Sequence, residues 1–226
     1  MYRASPFFFA ALLLAAIPAF WPSYLFPKKY ESDWHVHLHG IAMLLWMLLL
    51  IVQSTLASRR SFETHRALGK TSFVLVPVVV VSTLLLANYR MRSGLNKELI
   101  YFFYVQVALL VQFLVAYLLA ILNRRTPAEH MRFMACTALA LVDPIFARLL
   151  YNHFGIEPPL MQLITYGAID LVLVALIVHD RMERHYTRAY EAMLALFVVT
   201  QAPTFFITGT KEWLAFTKAF AKLPLP

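Results

Sequence analysis

The stretch Asp33-Trp34-His35-Val36-His37-Leu38-His39-Gly40 sets three imidazoles at alternate positions just ahead of a long apolar run. If it opens the helix that follows, His35 and His39 share a face one turn apart and His37 points elsewhere. Nitrogen donors at that spacing suit a transition metal or a heme iron, with His153 as a further donor on the same side of the membrane. The metal-ligand set expected from the sequence is therefore His35, His37, His39 and His153. The same residues also suit an interfacial cluster, because His, Trp and Tyr sit comfortably where one end of the ring is wet and the other apolar.

A second chemistry is carried by charge inside apolar runs. Asp143 precedes Pro144 near the middle of one run, Arg148 lies about a turn and a half further on, and Asp170 sits near the middle of the next. An ionisable group in a membrane span is costly, so each marks a site by default, with an ion pair between Arg148 and one aspartate as the economical arrangement. Such a pair can equally serve only to fix helix packing.

The elements that must position these groups follow from composition. The 226 residues are 61 % hydrophobic and only 14 % charged, with a mean hydropathy of +0.65, which excludes a water-soluble domain. Apolar runs at Phe7 to Phe26, Leu38 to Leu56, Thr71 to Ala87, Leu99 to Leu122, Phe133 to Tyr151, Leu160 to Val178 and Ala189 to Ile207 predict seven membrane spans. The first is too long and aromatic for a signal peptide and lacks a small-x-small cleavage site, so it reads as a helix. The expectation is one all-α domain over residues 1–226, a polytopic membrane bundle closed by a short interfacial helix bearing Trp213, Phe216 and Phe220. Thr126-Pro127-Ala128-Glu129 predicts a capping box at the start of the fifth span, and Ser61 with Glu63 a cap for the third. Prolines 77, 144 and 203 fall within spans and predict kinks.

The net charge of +8 is no nucleic-acid signal, because the cations lie in short clusters between apolar runs. Eleven of the twenty Lys and Arg fall on one side, among them Arg3, Arg59, Arg60, Arg66, Lys70, Arg124, Arg125 and Arg132. The positive-inside bias then predicts a cytoplasmic amino terminus in a bacterial inner membrane. His65, His130, His179 and His185 would face the cytoplasm. The single cysteine, Cys136, excludes a disulfide framework and a Cys-based zinc site. No Gly-rich phosphate loop, Gly-x-Ser-x-Gly or Cys-x-x-Cys is present.

Helical projection gathers polar residues into stripes: His39, Met43, Trp46, Leu50 and Gln53 on the second span; His65, Gly69, Ser72, Val76 and Thr83 on the third; His130, Met134, Thr137, Leu141, Arg148 and Asn152 on the fifth. They predict a polar seam through those three spans.

His65-Arg66-Ala67-Leu68-Gly69-Lys70, with Gln53 before it and His130-Met131-Arg132 and Arg148 after it, resembles an uncharacterised bacterial family of polytopic membrane proteins. That family is marked by His-Arg-x-Leu-Gly and a later His-x-x-x-Met element, and the resemblance covers roughly residues 38 to 150. Here His130 is followed by Met131-Arg132-Phe133-Met134, where the family more often has two Arg and an aromatic before Met. The resemblance implies that His39, His65, His130 and Arg148 are marked positions, and it supplies no reaction. A looser similarity to b-type membrane cytochromes implies heme held by histidines of different helices.

Three functional expectations remain open. The first is electron transfer through heme b or a transition metal, with His65 and His130 as an inner pair and His39 with His35 or His153 outside. The cofactor-binding set is then His39, His65, His130, Gln53 and Arg148. The second is an accessory or transport subunit whose seam binds a membrane lipid, a quinone or a partner membrane protein. The third is a metal-dependent hydrolase with zinc held by three histidines. Asp143 and Asp170 are buried charges in each.

Overall fold

The computed structural model describes residues 5–26, 33–184 and 187–226. Arg3 and His185, which entered the charge and histidine expectations, lie outside the described residues. The described residues are predominantly helical, with no strand among them. Seven helical segments are long and apolar enough to cross a membrane. They are α1 (Ser5–Phe20) with the π turn Trp21–Leu25; α2 (Trp34–Ser58); α3 (Phe62–Gly69) with α4 (Ser72–Arg92); α5 (Lys97–Leu122); α6 (Pro127–Phe154); α7 (Leu160–Met182); and α8 (Ala189–Gln201) with two 3-10 turns to Gly209. A shorter helix, α9 (Lys211–Ala221), follows.

Two compact units form: one of residues up to Gly94 together with Ala221–Pro226, the other Leu95–Phe220. In the first, α2 packs against α1 and α4. Ala42, Trp46, Met47 and Leu50 of α2 and Val76, Val79 and Leu86 of α4 are buried there. The segment Leu223–Pro226 is tied to this unit by side chains that read only backbone. Asn88 Nδ2 donates to the Leu223 carbonyl at 3.3 Å and Arg92 Nη1 to that of Leu225 at 2.7 Å.

In the second unit α6 touches α5, α7 and α8, and it is the most enclosed span, 61 % of its apolar window being buried. The opposite faces of these helices carry exposed apolar side chains, such as Leu118, Leu122, Leu163, Leu171 and Val199, as lipid-facing surfaces should. Trp213, Phe216 and Phe220 of α9 stack on Phe103, with ring centroids 5.4, 6.0 and 4.8 Å away. The aromatic stripe of α9 thus packs on Phe103, while Phe216 stays half exposed.

Local signals account for a few of the helix ends. Asn96 Oδ1 accepts from the Leu99 backbone N–H at 2.7 Å and caps α5. Gly155 takes the left-handed conformation, φ 64°, that ends α6, and the Ile156 N–H reaches back to the Leu150 carbonyl at 3.2 Å. Ile156 then packs on Ala147, Leu150 and Met161.

Several expectations are corrected. Ser61 and Thr126 do precede α3 and α6, but neither side chain caps a backbone N–H; Ser61 Oγ turns to Thr64 Oγ1 at 3.3 Å. Pro127 already removes one orphan donor at the first position of α6. The third span is divided at Lys70 and Thr71, so His65 and Gly69 lie on α3 while Ser72, Val76 and Thr83 lie on α4. Pro77 and Pro144 lie within α4 and α6, as the spans read from the sequence place them. At Pro203 the α-helix gives way to 3-10 turns, because the ring removes a donor and crowds the preceding turn.

Replacing the cap in Asn96→Ala is expected to lower stability by about 1 kcal/mol. Gly155→Ala, forced to positive φ, is expected to cost about 1–2 kcal/mol. Thermal unfolding of the purified protein in mild detergent reads both.

Candidate functional site

In the first unit the histidine run forms the opening turns of α2. Asp33 is its N-cap, accepting from the His35 backbone N–H at 3.0 Å and pairing also with the His35 ring. The His35 backbone N–H, and then its ring, hold the Asp33 carboxyl below the usual aspartate range. The His35 ring is stacked between Trp34 and Tyr89, and its Nε2 donates to the Pro226 carbonyl at 2.7 Å. Both ring nitrogens of His35 therefore already face acceptors. His37 turns to the Tyr24 hydroxyl, 3.0 Å from its Nδ1. His39 meets Ser82 Oγ and Thr83 Oγ1 of α4, each 3.4 Å from its Nδ1. His37 lies about 200° round the helix from the other two, and His35 and His39, although on one face, are taken up by different partners, so the three rings do not converge. Among the described residues, no group of three His, Cys, Asp or Glu is placed to hold a metal ion.

Gln53, His65 and Gly69 do come together, at the other end of α2. His65 Nδ1 donates to the Gln53 carbonyl at 3.2 Å. The buried Gln53 side-chain amide, which has no hydrogen-bond partner for either polar atom, lies beside Gly69. A Cβ at Gly69 would sit 3.6 Å from Gln53 Nε2, ordinary contact. Fourteen residues separate His39 from Gln53, about 21 Å along the helix axis. The expected cofactor set is thus divided between the two ends of this unit.

His130 and Arg148 belong to the second unit, and they too lie at opposite ends of one helix. Eighteen residues of α6 separate them, about 27 Å. His130 Nδ1 donates to the Ala120 carbonyl of α5 at 2.8 Å. His153 is exposed in the last turn of α6, and His179 is exposed in that of α7.

The interior of this second unit holds a ladder of polar groups. Asp143, 2 % exposed, accepts on Oδ1 from Gln162 Nε2 at 2.6 Å and from Thr165 Oγ1 at 2.8 Å, both from α7. Arg148 Nη1 donates to the Pro144 carbonyl at 2.8 Å, and its charge acts on Asp143. The Asp143 charge also reaches Tyr101 of α5 and Tyr166 of α7. Tyr101 has a buried hydroxyl without a hydrogen-bond partner, and Tyr166 meets Thr204 Oγ1 at 3.2 Å. Further along, the Gln201 amide, with its nitrogen turned to the carboxylate, donates to Asp170 at 3.2 and 3.1 Å. Gln112 Nε2 donates to Thr200 Oγ1 at 2.8 Å.

At the His130 end, Arg132 and Asp180 form a buried bidentate pair. Nε donates to Oδ2 at 2.5 Å and Nη2 to Oδ1 at 2.8 Å, while Nη1 takes the Ala128 carbonyl at 2.8 Å. The guanidinium lies 5.8 Å from the centre of the Tyr190 ring. Sequence reasoning missed this pair and counted Arg132 as a loop cation. The signal was available: the Thr-Pro start at 126–127 already places Arg132 more than a turn inside α6, and Asp180 closes an apolar run. The polar seam expected across the second, third and fifth spans is thus represented in this unit by α5, α6, α7 and α8.

No known family, curated protein or solved structure matches the chain.

Removing one partner of the buried pair, in Arg132→Ala or Asp180→Ala, is expected to cost about 3–5 kcal/mol by stranding the other charge, read by denaturation in detergent. Because Asp33 is held below its ordinary value, its cap contributes fully at neutral pH and is lost as the pH falls below about 4. Wild type and Asp33→Ala are therefore expected to differ in melting temperature at neutral pH and to converge in acid.

Proposed function

We propose that the protein is a transport or accessory protein of the membrane, in which the second unit binds a small hydrogen-bonding or protonatable species along its polar interior. One observation carries this reading: Asp143 is enclosed within a span, and neutral donors from a neighbouring helix hold only one of its oxygens. A carboxyl kept in such surroundings is costly unless something is bound or passed there. Protons and the headgroup of a quinone use the hydrogen-bonding chemistry this interior offers, and a small cation would use its oxygen lone pairs. The cation bias of the sequence favours a cytoplasmic amino terminus in a bacterial inner membrane.

A second reading, heme or a transition metal for electron transfer, rests on His65 and His130. Each donates Nδ1–H to a backbone carbonyl, which can only accept, so each neutral imidazole carries its lone pair on Nε2. That is how ligating histidines are oriented, and one proximal imidazole suffices for heme iron. The hydrolase reading draws on His35 and His39, whose nitrogens meet Asp33, the Pro226 carbonyl, Ser82 and Thr83, and gains nothing from the geometry.

Reconstitution into liposomes under an imposed membrane potential tests the first reading. Fluxes of protons, sodium and potassium are followed in parallel, and solvent extracts of the purified protein are examined for quinone. Protein-dependent flux that falls at least tenfold in Asp143→Ala, or a quinone lost in that variant, is the expected result. Fluxes no larger than those of empty liposomes, with no quinone, overturn it. A Soret band lost in His65→Ala or His130→Ala would favour the second reading instead.

A further inference from the structure

We propose that Asp143 and Gln162 together form a proton-binding site within the membrane, in which a protonated carboxyl and a primary amide close a two-bond ring. One bond of that ring is in place, Gln162 Nε2 to Asp143 Oδ1 at 2.6 Å. Gln162 is fully buried, yet its Oε1 has no hydrogen-bond partner. A carboxyl and a primary amide have matching bites: N–H meets one carboxyl oxygen, and O–H from the other meets the amide oxygen.

With Asp143 ionised, Oδ2 and Gln162 Oε1 are both acceptors with no proton to share. Gln162 Oε1 is shut off from water, and in a span an acceptor left so is the costly state. One proton on Oδ2 turns it into a donor to Oε1 and satisfies both atoms. The balance is simple: the carboxylate takes a proton from hydronium at the membrane face, forms one O–H bond and releases water, with no redox partner.

The surroundings favour a proton over a metal cation. Asp143 Oδ1 already takes two donors, Gln162 Nε2 and Thr165 Oγ1, which leaves little of the carboxylate for a cation shell. Arg148, about a turn and a half along α6, sets a positive charge against any second cation. From the other helices the groups that sense Asp143 are the phenols Tyr101 of α5 and Tyr166 of α7, the latter tied to Thr204 beyond α8. These are neutral phenols, and the buried Tyr101 hydroxyl has no hydrogen-bond partner of its own.

This inference deepens the transport reading by naming the species held, and it is tested separately from it. Infrared difference spectra after a pH jump, recorded on the full chain in lipid nanodiscs, read the protonated-carboxyl stretch. Wild type is expected to show that band near neutral pH, Asp143→Asn to lack it, and Gln162→Leu to shift it to the position of a carboxyl without an amide partner. Asp143→Asn keeps one amide facing the other, so it is expected to fold and to remove the part of the pH dependence of melting that Gln162→Leu alters. A carboxylate band alone at every pH where the protein stays folded overturns the proposal, as does a band that responds to sodium instead of pH. The band without proton flux sinks the transport reading and leaves this site; flux without the band does the reverse.

Discussion

Hydrocarbon offers no hydrogen bonds, and that constraint orders this molecule more than any single contact. A soluble protein can leave a surplus donor to water, whereas a span must give each polar atom a partner within the bundle or carry its cost. Most hydroxyls here take the local route, donating to a carbonyl three or four residues back, as Thr55, Ser58, Ser82, Thr137 and Thr200 do. Charged groups use that route only in part, Arg132 to the Ala128 carbonyl and Arg148 to that of Pro144, and it leaves their charge to be balanced. Arg132 and Asp180 neutralise each other in a fork that joins α6 to α7, and Asp143 depends on neighbours that are neutral apart from Arg148. The two solutions differ in kind. A bidentate pair has every bond made and acts as a pin; a carboxyl with one served oxygen beside an amide with one served atom is poised between two states.

The histidines obey the same constraint. They look like a ligand set in sequence, but in the fold three of them, His35, His65 and His130, serve as donors to backbone. His35 fastens the segment ending at Pro226, working with Asn88 and Arg92, so that three side chains hold it by carbonyls alone. His65 and His130 each stand in the first turns of a helix and reach back to a carbonyl of the preceding one, Gln53 and Ala120. For Ala120 that carbonyl is one of the last four of α5, which the helix itself cannot satisfy. The device closes two helical hairpins in the same manner, one in each unit. It also fixes the imidazole tautomer, which is why these two rings, and not the alternating run, keep the heme or metal reading alive.

What the sequence by itself determined is the inventory and its coarse placement: seven apolar stretches, hence an all-helical membrane fold; the start of α6 at its Thr-Pro dipeptide; Pro203 as a place where the helix is disturbed; and Asp143 as a charge out of place. Such features are local, set by hydropathy over a window of one span or by the conformational limits of one residue. The tertiary structure alone decided partnership. Asp143 faces Gln162 and Thr165, Arg132 lies inside the bundle against Asp180, and the expected cofactor residues are split between the ends of their helices. A period of 3.6 residues says which side chains share a face. It does not say which neighbouring helix that face meets, at what depth or at what rotation. Those are settled by packing among residues distant in sequence, and a buried polar group takes its chemistry from them.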